Sequence, residues 1–161
     1  MAKQPKSGTP ALAELQRAGV EFSAREFEHA AGERSYGVAA AAALGVEPAR
    51  VFKTLVAVAD GRPVVGIVPV DRQLSLKAIA AAVGSKRAEI ATPADAERIT
   101  GYVVGGISPF GQKRRLATVL DESATAFATI YVSGGRRGLD VELAPSSLVA
   151  VLGATTAPIS T

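Results

Sequence analysis

The stretch VFKTLVAVADGRPVVGIVPV, residues 51–70, holds two apolar, β-branched runs on either side of Asp60-Gly61. Asp-Gly readily supplies the positive φ angles that a two-residue hairpin turn demands. Residues 51–59 therefore read as a strand and 64–70 as its returning neighbour. Side-chain alternation puts Val51, Lys53, Leu55 and Ala57 on one face, and Phe52, Thr54, Val56 and Val58 on the other. Both faces are apolar except at Lys53 and Thr54. A lysine inside such a strand is costly to bury unless a carboxylate, phosphate or ester oxygen uses it. The other reading is an edge-strand lysine that reaches back to water and deters aggregation.

Helix signals surround this hairpin. Thr9-Pro10 pairs an N-cap with proline at the first helical position; Leu12 and Leu15 then share a face, and Gly19 stops the helix. Residues 20–27 alternate as a strand. Ser35 can cap an alanine-rich helix that ends at Gly45, and Ser75 one that ends at Gly84. Residues 88–91 read as a short strand. Thr92 to Asp95 has capping-box spacing and opens a helix to about residue 100. Residues 129–132 and 139–143 read as strands around a turn at Gly134-Gly135, and Pro145 opens a last helix that Gly153 closes. Residues 1–8 read as a polar tail and 9–161 as one domain. The fold class expected is α+β with a mixed or mostly antiparallel sheet.

Composition narrows the chemistry. The chain has 161 residues, 48% of them hydrophobic, which suits one domain with a real core. No apolar run approaches the roughly 18–20 residues of a membrane helix. MAKQPKSG at the N-terminus lacks the apolar centre of a secretory signal, so the expected location is the cytoplasm. There is no cysteine and one histidine, His29, flanked by Glu26 and Glu28. A thiol nucleophile is excluded and a zinc site is not expected; composition leaves a carboxylate-bound metal open, and the expectation for the chain is no metal and no cofactor. The net charge is only +3, but cations cluster at Lys86-Arg87, Lys113-Arg114-Arg115 and Arg136-Arg137. Such clusters are either solvated surface or phosphate contacts. Aromatics are 5% with no tryptophan, which argues against a base-stacking platform.

Residues 100–116, TGYVVGGISPFGQKRRL, carry the second candidate site. Tyr102 to Val104 read as a short buried strand that breaks at Gly105-Gly106. Glycine lets backbone N–H groups approach a ligand, and such groups bind a carbonyl or oxyanion. Pro109 would stiffen the exit. An ordinary tight turn would look the same. Ser108 is a poor nucleophile candidate. Gly106 to Gly111 is one residue too long for a nucleophile elbow, and Pro109 removes an N–H that would serve its oxyanion hole. Ser108 is expected to orient the loop. Tyr131 to Arg137 ends in another glycine pair, which makes either a hairpin turn or a second pocket wall presenting Ser133. Tyr36-Gly37, at a helix start, could line the same pocket or join the core.

VFKTL at 51–55, the 100–116 stretch and IYVSGGRRGL at 130–139 together resemble the bacterial Cys-tRNA(Pro) deacylases of the YbaK/EbsC family, over nearly the whole chain. The resemblance implies a compact YbaK-like editing domain, a curved mixed sheet surrounded by helices. It implies trans-editing of mischarged Cys-tRNA(Pro), and of Cys-tRNA(Cys), by a substrate-assisted route in which the substrate thiol attacks its own ester. Lys53 then matches the functional lysine, and Gly105 the glycine whose N–H meets the scissile carbonyl. Gly106, Ile107, Ser108 and Pro109 complete that substrate-binding loop. Thr54 and Ser133 match pocket positions, and Asp140 a polar pocket residue of some members. Phe27 stands where some relatives have tyrosine, and Tyr36 could compensate for the lost hydroxyl. The implied partners are mischarged tRNA(Pro) and prolyl-tRNA synthetase. Ala- or Ser-tRNA deacylation and a non-catalytic tRNA- or synthetase-binding module are the alternatives. The cations at 113–115 and 136–137 would meet the tRNA backbone. Binding measured between 50 and 200 mM salt should then weaken steeply, by roughly tenfold or more for each few phosphates contacted; a salt-insensitive affinity contradicts phosphate contact.

Overall fold

A computed structural model describes residues 8–28 and 36–161. His29, the proposed Ser35 cap and nearly all of the expected 1–8 tail lie outside the described residues. In chain order the elements are α1 (Pro10–Ala18), β1 (Ser23–Glu26), α2 (Tyr36–Leu44), a 3-10 turn (Pro48–Arg50), β2 (Phe52–Ala59), β3 (Arg62–Pro69), α3 (Leu76–Ala82), β4 (Ala88–Ile90) and α4 (Pro93–Thr100). There follow β5 (Ala117–Asp121), a second 3-10 turn (Glu122–Ala126), β6 (Ile130–Arg136), β7 (Leu139–Leu143), α5 (Pro145–Leu152) and β8 (Thr155–Ala157).

The hairpin forms as its sequence demands. Asp60 and Gly61 take φ values of 47° and 81°, and β2 pairs antiparallel with β3 from Phe52↔Pro69 to Ala59↔Arg62. The Asp60 carboxylate also accepts the N–H groups of Lys86 (3.0 Å) and Arg87 (3.3 Å), which fastens the turn to the segment entering β4. Around this hairpin a mixed sheet runs in the order β4-β2-β3-β5-β8, with β5 and β8 parallel to their neighbours. A second, antiparallel sheet has the order β1-β7-β6. A parallel bridge between Val51 and Tyr131 links the two. The α+β class with a mixed sheet is observed, divided into two sheets.

β3 explains where the core lies. Val65 and Ile67 join a cluster with Leu12 and Leu15 of α1, Val132, Val141 and Leu148. Val64 and Val68 join a second cluster, with Ile79 of α3 and Ile159. Each fully buried aliphatic side chain contributes about 1.5–3 kcal/mol. The helix caps are local. The Thr9, Ser75 and Thr92 hydroxyl oxygens accept from Leu12, Ala78 and Asp95 N–H, at 3.2, 3.1 and 3.1 Å. Gly19, Gly101 and Gly153 close α1, α4 and α5 in the left-handed conformation.

Several expectations need correction. Tyr102 to Val104 is not a strand. Gly101 (φ 86°) and Gly105 (φ 88°) turn the chain on both sides of it. Tyr102 swings inward and its hydroxyl donates to the Phe110 carbonyl at 2.6 Å, while Val103 stays 52% exposed. The strand beside this loop is β5, further along. Gly134-Gly135 is not the hairpin turn either. It sits inside β6 as a bulge, since the register steps from Ser133↔Asp140 to Arg136↔Leu139. The reversal falls at Arg137-Gly138. A Cβ at Gly134 would lie 2.7 Å from Leu139 Cγ, so only glycine fits. The strand expected over 20–27 is confined to β1.

Asp121 ties the C-terminus to the sheet. Its carboxylate accepts from Ile159 N–H (2.9 Å), Ser160 N–H (3.0 Å) and Ser123 N–H (3.3 Å). Burial alone would raise its pKa, but these hydrogen bonds outweigh it and hold the group below its ordinary value. Its stabilisation is therefore present above the unfolded pKa and lost as pH falls through the lower folded one. Asp121→Ala should cost about 2–4 kcal/mol in urea unfolding at pH 7, and less in strong acid. An unchanged midpoint would contradict the anchor.

Candidate active site

β4 pairs with β2 only at Ala57, Val58 and Ala59. The N-terminal half of β2 therefore has no strand partner on that side beyond the single bridge at Val51. A cavity of about 380 Å³ wraps this free edge and takes lining from both faces of the strand, Lys53 and Thr54 included. Its volume lies in the range of small-molecule sites. Three further segments close it: Tyr36, Gly37 and Ala40 of α2; Val104, Gly105 and Ile107; and Ser133, Arg137 and Asp140 from the β6–β7 hairpin. Phe27 also lines it, as do Ile90, Ala91 and Pro93 between β4 and α4.

Each polar group here has a distinct state. Lys53 is half-buried and has no hydrogen-bond or ion-pair partner among the described residues. Burial lowers its pKa, and the charge of Asp71 opposes that shift. It stands on a stretch of strand that β4 leaves unpaired, and it lines the cavity. Thr54 is 7% exposed, and its hydroxyl finds no partner among the described residues. An orphaned buried hydroxyl on a cavity wall is a group waiting for a ligand or water. Ser133 Oγ accepts from Gly135 N–H at 3.2 Å.

In the glycine loop, Gly105 N–H is a free donor between two engaged neighbours. Val104 N–H donates to Glu97 Oε2 at 2.8 Å, and Gly106 N–H to the Val103 carbonyl at 2.9 Å. Gly105 N–H, between them, has no partner among the described residues. A free N–H on a braced loop can donate to a carbonyl or oxyanion without reorganisation. No side chain fits here: a Cβ on Gly105 would lie 2.7 Å from Tyr36 Cδ2 and 3.0 Å from Arg137 Nε.

Gly106, Ser108 and Pro109 are not brought to the cavity. A Cβ at Gly106 would lie 2.8 Å from the Arg136 and Arg137 backbone, so this residue packs against the hairpin. Ser108 is fully buried and its Oγ accepts from Phe110 N–H at 3.2 Å, an orienting role. Pro109 is buried behind it. The expected phosphate contacts divide as well. Arg115 pairs with Glu14 (3.3 Å) and donates to the Val151 carbonyl (2.9 Å), and Arg136 pairs with Glu26 (3.4 Å). Arg137 is engaged within the cavity wall. Lys113 and Arg114 are exposed, with no ion pair among the described residues.

Residues 33–151 match the family described as aminoacyl-tRNA editing domain. The chain belongs to this family. EbsC of Enterococcus faecalis, a protein named for Cys-tRNA(Pro)/Cys-tRNA(Cys) deacylation, is 37% identical over 161 residues, 99% of this chain and 97% of that one. The multifunctional Ser/Thr-tRNA deacylase ProXp-y of Escherichia coli is 38% identical over 58 residues, 36% of this chain and 35% of its own. A solved structure described as a trans-editing enzyme for prolyl-tRNA synthetase superposes with a TM-score of 0.85 at 26% identity, covering 99% of both chains.

Sequence reasoning missed parts of this editing domain's site. Pro93, Ala91 and Ile90 form a wall that no motif announced. The Glu97 brace joins groups on a helix and a loop, with no local signal. Asp140 lines the cavity, and its state is unusual. It is 6% exposed, and burial pushes its carboxyl up to about 7. A folded pKa above the unfolded value means the native state holds a proton that the unfolded chain releases. Stability therefore falls as pH rises from about 4 to about 7. Asp140→Asn should remove that slope, leaving the variant more stable than wild type at pH 8 and nearly equal near pH 4. Urea unfolding across pH checks this; parallel profiles for the two proteins would contradict it.

Proposed function

We propose that this editing domain deacylates mischarged aminoacyl-tRNA, with Cys-tRNA(Pro) and Cys-tRNA(Cys) as its substrates. The observation that carries the reading is the convergence of Lys53, Thr54, Gly105, Ser133 and Asp140 from distant segments on one cavity that holds no paired nucleophile. The chain has no cysteine. Neither Thr54 nor Ser133 donates to a base among the described residues. Such a site suits a substrate that brings its own nucleophile.

The cysteinyl thiolate attacks its ester carbonyl, forming a carbon–sulfur bond. The carbon–oxygen bond to the terminal ribose breaks, and the ribose oxygen leaves with a proton from water, which had taken one from the thiol as it ionised. The resulting cyclic thioester is opened by water to free cysteine. The Gly105 N–H donates to the carbonyl oxygen as charge develops on it, and the Lys53 ammonium stabilises that charge or the departing oxygen. Thr54, Ser133 and Asp140 orient the amino acid. A small, mostly apolar wall admits cysteine and discriminates poorly among residues of similar size, so the thiol supplies the selectivity. The likeness to a trans-editing enzyme for prolyl-tRNA synthetase supports that synthetase as a partner in the cytoplasm, where charging takes place. Among the described residues no helix is long and apolar enough to cross a membrane.

The partial likeness to a Ser/Thr-tRNA deacylase favours one second reading, in which water attacks a seryl or threonyl ester in the same pocket. Deacylation of Cys-, Ala- and Ser-tRNA(Pro) by wild type and Lys53→Ala separates the two. The thiol route gives rapid loss of the cysteinyl ester only, reduced about 10²- to 10³-fold by Lys53→Ala. Loss of the seryl or alanyl ester keeps the site and replaces the mechanism. Release of none of them would leave a tRNA- or synthetase-binding module.

A further inference from the structure

Arg137 is held unlike a surface cation. Its Nε donates to the Val104 carbonyl at 2.8 Å. Its guanidinium lies over the Tyr36 ring, 4.5 Å from the centroid. The same ring covers the Gly105 Cα, where an added Cβ would meet it at 2.7 Å. The β6–β7 reversal, the start of α2 and the glycine loop are thus stacked through one side chain. On its other side, Glu97 holds Val104 N–H at 2.8 Å. The peptide groups on both sides of Val104 are therefore pinned, from α4 on one flank and by Arg137 on the other. Gly105 N–H belongs to the peptide whose carbonyl is Val104 C=O. Fixing that oxygen fixes the plane, and so the aim, of the free Gly105 N–H.

We propose that Arg137 is a positioning residue for deacylation: it holds the Val104–Gly105 peptide so that Gly105 N–H points at the scissile carbonyl. This rests on the deacylase reading above and replaces the expected role of Arg137 as a tRNA backbone contact. The planar guanidinium is needed because one group must stack on Tyr36 and donate in its own plane, and a lysine ammonium cannot do both. A misaimed donor loses transition-state stabilisation and leaves substrate binding alone.

Arg137→Met, Arg137→Lys and Tyr36→Leu are compared with wild type on Cys-tRNA(Pro), with melting temperature as the folding control. The bracket lowers kcat about 10- to 100-fold in both Arg137 variants, with KM and the salt slope of tRNA binding unchanged. A phosphate contact would instead raise KM and reduce the salt slope by about one in Arg137→Met, and Arg137→Lys would restore activity. That pattern overturns the proposal. Amide hydrogen exchange at Val104, Gly105 and Gly106 needs no substrate and separates this idea from the deacylase reading. Faster exchange confined to these amides in all three variants supports the bracket even if wild type releases no ester. Unchanged exchange sinks it even if wild type is active.

Discussion

An unpaired length of strand is the constraint from which the site follows. β4 covers only the far end of β2, so the near end keeps backbone and side chains open on one edge. A fully paired strand would have put Lys53 between neighbours and left no room beside it. The second sheet approaches this edge through the Val51–Tyr131 bridge and brings Ser133 and Asp140 with it. α2 and the glycine loop fill the remaining sides. The cavity is thus a gap between two sheets joined by one backbone bridge, and its polar groups come from both.

Features settled within a few residues were legible in the sequence. The Asp60-Gly61 hairpin, the caps at Thr9, Ser75 and Thr92, and the glycine stops all depend on local hydrogen bonds or φ angles. Tyr102 to Val104 misled because an apolar run says nothing about where its tyrosine hydroxyl will find a partner. The Phe110 carbonyl supplied it and curled the segment into a loop. β5 and β8 escaped notice because their pairing is parallel, with partners distant in sequence. The bulge in β6 needed Leu139 and Thr9 in place before its glycines made sense.

The candidate site divides along the same line. Lys53 and Thr54 stood out as polar residues in an apolar strand, and Gly105 as a glycine before a braced loop. Ser133 and Asp140 were recognisable through resemblance, and the register confirms them as cross-strand partners. Arg137 was legible only as a charge. Its real neighbours, Val104 and Tyr36, come from separate parts of the chain, and nothing in the string of residues joins them. Cation clusters are weak evidence for nucleic-acid contact for this reason: here Arg115, Arg136 and Arg137 each have a partner within the protein.

Lys53 also guards the edge on which it stands. An open strand edge flanked by apolar side chains is a template for another chain to add onto, and a charge at that edge makes such pairing costly. The residue that would meet the substrate thus also adds a charge opposing strand addition at whatever part of that edge the surrounding segments leave uncovered.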